Sequence, residues 1–222
     1  LRSYHLKPGG GQQELPRRQI WIGAVTPANS VMNDVWNGWY IVIHRANTVI
    51  ANAPNVTDND ALRDRLVAEA KFFRGWAYFE LVSLWGPVPI HTEPVKTPTD
   101  FQSRAPEADV YALVKQDLTE AAAGLPAVGD PGRVTKGAAN AMLGRALMQN
   151  GDYEGARTAL KAVENSAEYS LVANYLDNFY EETEFNDESV LEIAFFDRGD
   201  NSFNWGYTGD NSGESQATVR NQ

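Results

Sequence analysis

Residues 58–85 carry the strongest helical pattern in the chain, and this pattern constrains the fold more than any other feature. Apolar residues recur there at three- and four-residue spacing, and they form two stripes rather than one. The first stripe consists of Leu62, Leu66, Ala70, Phe73, Ala77, Leu81 and Leu84, and the second of Phe72, Trp76 and Phe79. A helix that is apolar on two sides is packed on two sides. We therefore expect one continuous, largely buried helix at the centre of the fold, capped by Thr57 or Asp58 and ended by Gly86-Pro87.

The apolar spacing elsewhere is also mainly helical. Asn29 or Ser30 can cap the first of the remaining helices, and Thr135 can cap the third. These helices are predicted at residues 29–53, about 106–123, 136–149 and about 153–165.

Three stretches depart from the helical pattern. Residues 1–28 are rich in Gly and Pro, so we expect a loop with a short helix near Ile20. Residues 86–105 hold four Pro and predict an extended connection. Residues 188–196 read Glu-Ser-Val-Leu-Glu-Ile-Ala-Phe-Phe and predict a strand.

Residues 136–163 show the spacing of a tetratricopeptide helix pair. Small residues let two antiparallel helices approach closely, and large residues fill the groove between them. The residues at the expected offsets are Leu143, Gly144, Leu147, Gly151, Tyr153, Ala156 and Leu160. One pair cannot bury its own faces, so the other helices must stack against it. The expected fold is mainly all-α, built on tetratricopeptide-like pairs with long loops and a minor β component.

Composition narrows the classes of partner. The chain carries 29 acidic and 19 basic residues, which gives a net charge of −10. Phosphate backbones and anionic lipid headgroups would repel such a chain, so binding to nucleic acid or to a membrane surface is disfavoured. The absence of Cys excludes disulfides, thiolate zinc sites and Cys nucleophiles. No membrane-spanning segment is expected, and a chain that starts at Leu1 is expected to be a mature or trimmed product.

Four blocks of sequence resemble a known family. Residues 44–51 read His-Arg-Ala-Asn-Thr-Val-Ile-Ala, and residues 69–90 read Glu-Ala-Lys-Phe-Phe-Arg-Gly-Trp-Ala-Tyr-Phe-Glu-Leu-Val-Ser-Leu-Trp-Gly-Pro-Val-Pro-Ile. Residues 132–153 run from Gly-Arg-Val-Thr-Lys-Gly to Gly-Asp-Tyr, and residues 169–193 include Tyr-Ser-Leu, Phe-Tyr and Glu-Ser-Val-Leu-Glu-Ile. In this order the blocks are similar to the SusD/RagB family of Bacteroidetes nutrient-binding lipoproteins, over roughly residues 30–205.

The resemblance implies a function as well as a fold. It implies capture of a nutrient, most often an oligosaccharide and in some branches a peptide, on the extracellular face of the outer membrane. It also implies a partner, a SusC-like TonB-dependent transporter that receives the ligand. Neither catalysis nor a cofactor is expected.

The chain departs from the family in length. Family members are much longer, so we expect residues 1–222 to form one SusD-like domain that is truncated at its C-terminal side. The N-terminal segment that carries the lipid-attachment Cys is also missing. Membrane contact is therefore expected only through a lipid anchor that this chain does not contain.

Four residues within the family blocks are expected to be structural. Glu69 and Arg74 lie on a mostly apolar helix, where an isolated charge is costly, so each should form an ion pair rather than act as an acid or base. Arg45 and Asn47 are expected to tie a helix to neighbouring loops.

Candidate ligand-binding residues come from two stretches, 17–37 and 197–211. A sugar site needs an aromatic face for the apolar side of the ring and planar polar groups for the hydroxyls. In the family, ligand contacts come partly from the loops before the first long helix, which favours the first stretch. Trp36 could instead be a core residue of the helix start, and the same alternative stays open for Trp21 and Trp205. The candidates are Arg17, Trp21, Asn29, Asn33, Trp36, Asn204, Trp205 and Tyr207.

Metal and catalytic patterns are weak. His5, His44 and His91 are scattered without the spacing of metal ligands, so no metal site is predicted. Two alternatives to a binding protein stay open. One is an all-α glycan-active enzyme, for which Glu184 with Asp187 is an acid/base pair by composition alone. The other is a tetratricopeptide-type adaptor that binds only protein.

Overall fold

Six α-helices, four short 3₁₀ helices and one pair of short strands make up the regular structure of residues 15–193, the part of the chain that the computed structural model describes. The contacts divide the chain into two units, with the boundary between Ile41 and Val42. The helices are α1 (Leu15–Trp21), α2 (Ser30–Asn52), α3 (Asp60–Trp85), α4 (Glu107–Gly124), α5 (Lys136–Gln149) and α6 (Tyr153–Glu164), and the strands are β1 (Val88–Pro89) and β2 (Arg104–Ala105). The predicted all-α class is confirmed, and the antiparallel β1–β2 pair is its minor β component.

The central helix α3 is continuous, as predicted, but its cap differs from the prediction. The Asn59 side chain accepts a hydrogen bond from the Leu62 backbone N–H at 2.9 Å, so neither Thr57 nor Asp58 is the cap. The helix ends at Gly86, whose φ of +68° lies in the left-handed region that favours glycine.

The buried face of α3 differs in part from the predicted stripes. Leu81, Phe72 and Phe79 are fully buried, but Phe73 is 40% exposed, so its predicted burial is wrong. Leu62 and Leu84 are also exposed. The reason lies in the small residues of the helix.

Small residues on α3 determine where α4 packs. A Cβ added at Gly75 would lie 3.0 Å from the Leu118 Cγ, and one added at Gly124 would lie 2.9 Å from the Ala68 Cβ. The face that carries Ala68 and Gly75 is therefore in closest contact with α4. The sequence prediction assigned the buried face of α3 from its large apolar residues, and it therefore placed Phe73 in the core. The closest contact between α3 and α4 is instead made by residues with little or no side chain.

The predicted tetratricopeptide-like pair is formed by α5 and α6. A Cβ added at Gly144 would lie 2.6 Å from the Leu160 Cγ, so the two helices approach closely at this glycine. Thr135 and Asp152 cap the two helices by accepting hydrogen bonds from backbone N–H groups. Consecutive helices from α3 to α6 pack against each other, which gives the pair the stacking partners that it requires.

A buried ion pair joins α3 to α4. Arg74 Nε lies 2.7 Å from Asp117 Oδ2, and Arg74 Nη2 lies 2.8 Å from Asp117 Oδ1. Burial opposes the charge on Arg74, but the hydrogen bonds and the charge of Asp117 outweigh it and hold the pKa of Arg74 above its usual range. Glu69 pairs with Arg133 at 3.3 Å. The prediction that Arg74 and Glu69 form structural ion pairs is confirmed.

The loop at residues 91–93 is held by side chains rather than by a strand. Asn47 Nδ2 donates to the carbonyls of His91 (2.9 Å) and Glu93 (3.1 Å). Tyr78 adds a two-way contact, because its hydroxyl donates to the His91 carbonyl and accepts from the His91 N–H at 2.6 Å. Asn47 therefore ties its helix to a loop, as predicted, whereas Arg45 is exposed.

The predicted strand at 188–196 is wrong for residues 188–193. Asn186 Oδ1 accepts the backbone N–H of Glu188 at 2.9 Å, and the Asn186 carbonyl accepts that of Ser189 at 3.0 Å, which makes a turn. The Glu188 carboxylate accepts the Val172 N–H at 3.1 Å. These local hydrogen bonds compete with strand pairing. Residues 194–196 lie outside the described part of the chain.

Helix length and hydropathy bear on membrane insertion. Across residues 15–193, no helix combines the length and the apolar character that crossing a bilayer requires.

Candidate ligand-binding face

Asn29 is the residue that shapes the first predicted stretch. Its Nδ2 donates to the Pro16 carbonyl and to Gln19 Oε1, both at 2.9 Å, and its Oδ1 accepts the Met32 N–H at 3.1 Å. It thus caps α2 and ties α1 to the start of that helix. The side chain is only 2% exposed and its amide is already bonded, so we remove Asn29 from the candidate ligand residues.

Helix α1 presents the next candidates. Ile20 is the buried residue of this helix, and the chain turns after the helix at Gly23, whose φ is +74°. Arg17 is exposed and Trp21 is 41% exposed. An indole with this exposure keeps part of its ring available to a ligand, which is the arrangement that a stacking residue needs.

Helix α2 contributes an aromatic pair flanked by amides. The Trp36 and Tyr40 ring centroids lie 4.9 Å apart with an interplanar angle of 41°, and both rings are partly exposed. Asn33 and Asn37 are exposed and share this face, because residues three and four apart are neighbours on a helix. The rings offer a surface for the apolar side of a sugar, and the amides offer donors and acceptors for hydroxyls. We use the name α1–α2 aromatic face for Asn33, Trp36, Asn37 and Tyr40, and we include Trp21 because Asn29 ties α1 to the start of α2.

Sequence reasoning missed Tyr40. Its position, four residues after Trp36, is the signal that could have found it. Three other candidates, Asn204, Trp205 and Tyr207, lie outside the described residues, so they stay predictions.

A second candidate is a cleft between α3 and the loop that precedes α5. Its volume is about 340 Å³, with the apolar Pro126 and Val128 on its wall. Glu69 also lines the cleft, where its Oε2 lies 3.3 Å from Arg133 Nη1 and its Oε1 lies 3.7 Å from Arg65 Nε. Guanidinium and carboxylate groups suit sugar hydroxyls, but these groups already pair with each other and the cleft is lined by no aromatic ring.

Metal binding finds little support in the geometry. Within residues 15–193, no group of three or more His, Asp or Glu side chains is arranged to hold an ion. His44 and His91, two of the three histidines, belong to this part of the chain.

Comparison with known proteins gives a consistent result. Residues 13–148 match the sequence model of the SusD-like family that is described as starch-binding and associating with the outer membrane. SusD-like protein P25 of Formosa agariphila is 30% identical over 182 residues, which cover 78% of this chain and 34% of that protein. The chain thus spans about a third of the length of this curated relative.

Solved structures agree with the sequence match. A laminarin-binding SusD-like protein superposes with a TM-score of 0.79 and 30% identity, covering 84% of this chain and 42% of that one. A crystal structure with xylogluco-oligosaccharide superposes with a TM-score of 0.72 and 27% identity, covering 84% of this chain and 39% of that one.

Proposed function

The chain belongs to the SusD-like family, and from this premise we propose that it is part of a non-catalytic protein that binds oligosaccharides at the outer membrane. The α1–α2 aromatic face contributes to its ligand site. The observation that carries the proposal is the partly exposed Trp36–Tyr40 pair with exposed amides on the same side of the helix.

The ligand class is supported by chemistry and by similarity. Stacking a sugar ring on an aromatic side chain contributes about 1 kcal/mol beyond area burial, and a net hydrogen bond contributes about as much. A face with one or two such platforms fits a capture site with dissociation constants in roughly the micromolar to millimolar range. The laminarin-binding relative and the structure with xylogluco-oligosaccharide point to glycans as the first ligands to test.

Binding without catalysis fits the described carboxylates. Glu69, Asp117 and Glu120 each form an ion pair with a Lys or Arg side chain, so these carboxylates already have a structural role. Glu184 and Asp187, the acid/base pair considered from composition, are both exposed.

We further propose that the protein works on the extracellular face of the outer membrane with a SusC-like transporter. The support is the family description, which joins starch binding to association with the outer membrane. Co-purification of the two proteins from outer membranes tests this part, and recovery of the protein only from the cytosol would contradict it.

Calorimetric titration of the intact protein with laminarin and with xylogluco-oligosaccharide tests the ligand proposal. Trp36→Ala should weaken binding about fivefold, because it removes one stacking platform. Tyr153→Ala is the matched control, since Tyr153 is an exposed aromatic residue on α6 and should leave the affinity unchanged.

The same glycans separate the alternatives. Retention without cleavage supports a capture protein, whereas shortened products on chromatography would indicate an enzyme. Failure to bind any glycan of a broad panel would favour a protein adaptor and would overturn the proposal.

A further inference from the structure

Helix α1 exposes an indole between two guanidinium groups. Arg17 precedes Trp21 by four residues and Arg18 precedes it by three, so the three side chains share one side of the helix. Both Arg residues are exposed and Trp21 is 41% exposed. Ile20 is buried and Gln19 accepts a hydrogen bond from within the fold, so the opposite side of α1 faces the protein.

The charge of this region is opposite in sign to that of the whole chain. Residues 15–41, the described part of the first unit, contain two Arg and one Asp as their only charged side chains, whereas the net charge of the chain is −10. The one acid, Asp34, is two residues from Trp36, and residues two apart do not share a side of a helix. Salt screens charges beyond about 8 Å at physiological ionic strength, so the local charge decides which ligands approach Trp21. An anionic group is therefore attracted here, although the chain as a whole is acidic.

An indole flanked by guanidinium groups matches one class of sugar. The apolar side of a pyranose ring stacks on the indole. The N–H groups of a guanidinium lie in one plane and pair with two oxygens of a carboxylate or a sulfate. Such a group projects from the edge of the sugar ring, where side chains one helical turn from the indole can reach it.

We propose that the ligand of the α1–α2 aromatic face is an acidic oligosaccharide, in which a sugar on Trp21 presents a carboxylate or a sulfate to Arg17 and Arg18. This inference rests on the function proposed above and narrows its ligand class from glycans in general to those that carry uronic acid or sulfate groups. The two Arg residues then determine specificity, while Trp36 and Tyr40 supply surface for the neighbouring sugar rings.

An anionic membrane surface is the other partner that α1 could attract, because Leu15 and Ile22 are exposed on the same helix. However, α1 has only 7 residues, far fewer than the roughly 20–30 that are common in helices lying in a membrane interface. The exposed amides of Asn33 and Asn37 also offer donors and acceptors for sugar hydroxyls. These observations favour a glycan over a lipid surface.

Calorimetric titration of the intact protein tests the ligand class. The panel pairs each uronic acid oligosaccharide with its methyl-esterified form and each sulfated oligosaccharide with its desulfated form. We expect the acidic form of the bound pair to bind about fivefold or more tightly, with a preference that shrinks as NaCl is raised. A neutral form that binds as well as its acidic partner would overturn this inference and leave the proposed function standing. Failure of every glycan to bind would overturn both.

Charge-neutral variants test the assignment to Arg17 and Arg18. Arg17→Gln with Arg18→Gln should abolish the preference for the acidic form, whereas Arg17→Lys with Arg18→Lys should keep part of it because the charge remains. Arg157→Gln with Lys161→Gln removes two exposed cations from α6 and should keep the full preference. An equal preference in the two Gln double variants would overturn the assignment. So would binding to phosphatidylglycerol vesicles, lost in the first double variant, without any preference for acidic glycans.

Discussion

Arg74 and Asp117 form a bidentate ion pair that is buried on both sides, although the two residues lie 43 positions apart in the sequence. Arg74 also donates to Asn47 Oδ1 at 2.8 Å. A single guanidinium thus joins α2, α3 and α4 within the second unit. Its five N–H donors suit this role, because they lie in one plane and keep their charge.

Removal of either residue of the Arg74–Asp117 pair should lower the stability of the fold. Asp117→Ala should lower the free energy of unfolding by about 3–5 kcal/mol, since it leaves the Arg74 charge buried without its counterion. Urea denaturation followed by circular dichroism measures this change. Glu120→Gln is the control, because it weakens the partly exposed Lys71–Glu120 pair and should cost about 1 kcal/mol or less. Equal losses in the two variants would contradict the prediction.

Stability should fall at high pH because of Tyr78. Burial raises the pKa of Tyr78 to about 12, against the opposing effects of the His91 backbone hydrogen bond and the Arg74 charge. Between about pH 10 and 12 the unfolded chain loses a proton that the folded chain keeps, so the stabilisation present below this range is lost as pH rises.

The pH dependence that Tyr78 adds to the stability is large enough to measure. Tyr78 alone adds a slope of up to about 1.4 kcal/mol per pH unit to the free energy of unfolding in that range. Tyr78→Phe should remove this slope, whatever its effect at neutral pH. Denaturant unfolding at a series of pH values from 8 upward measures both slopes, and identical slopes would disprove the assignment.

Close packing between α3 and α4 predicts a cost for one methyl group at Gly75. Gly75→Ala places a Cβ 3.0 Å from Leu118 Cγ and 3.2 Å from Asp117 Cβ, and both of these side chains are buried. We expect a loss of about 1–3 kcal/mol from overpacking, reduced by the better helix propensity of Ala. Gly38→Ala has open space around the new Cβ and should be neutral or stabilising by thermal melting. A stabilised Gly75→Ala variant would show that the helices can separate at no cost.

Variants of Asn29 and Asn33 should have opposite effects on stability and on glycan binding. Asn29→Ala removes a helix cap and two hydrogen bonds to the preceding helix, so we expect a loss of about 1–2 kcal/mol in unfolding free energy with unchanged glycan affinity of the folded protein. Asn33→Ala should do the reverse, because Asn33 is exposed on the α1–α2 aromatic face. Weaker binding by the folded Asn29→Ala variant would return Asn29 to the ligand site.

The helices could be predicted because their signals are local. Thr135 was identified as a cap, and the start and end of α2 and α5 follow from capping residues and periodicity. Gly144 was identified as a close-contact position because helix-pair spacing is itself a sequence pattern. The choice of Asn59 over Thr57 and Asp58 depended on which backbone N–H the side chain reaches, and neighbouring polar residues compete for that role.

Long-range relationships could not be predicted. A costly charge on a mostly apolar helix indicates that Arg74 has a partner, but periodicity cannot select Asp117 from other carboxylates. The burial of Phe73 was predicted wrongly because the position of α4 depends on Ala68 and Gly75. In the candidate site, residue chemistry identified Trp36 but did not show that the amide of Asn29 is used within the fold.

The hydrogen bond to the Tyr78 hydroxyl should slow hydrogen exchange at the His91 backbone N–H to the rate of a core amide. Backbone N–H groups in loops usually exchange with solvent deuterium quickly, because no neighbouring carbonyl protects them. The His91 N–H donates instead to a hydroxyl that is itself fully buried, and the carbonyls on either side of Thr92 are held by Asn47. Deuterium uptake at the His91 N–H should therefore require the opening of α3. This loop amide then reports the concerted motion of the helices around it.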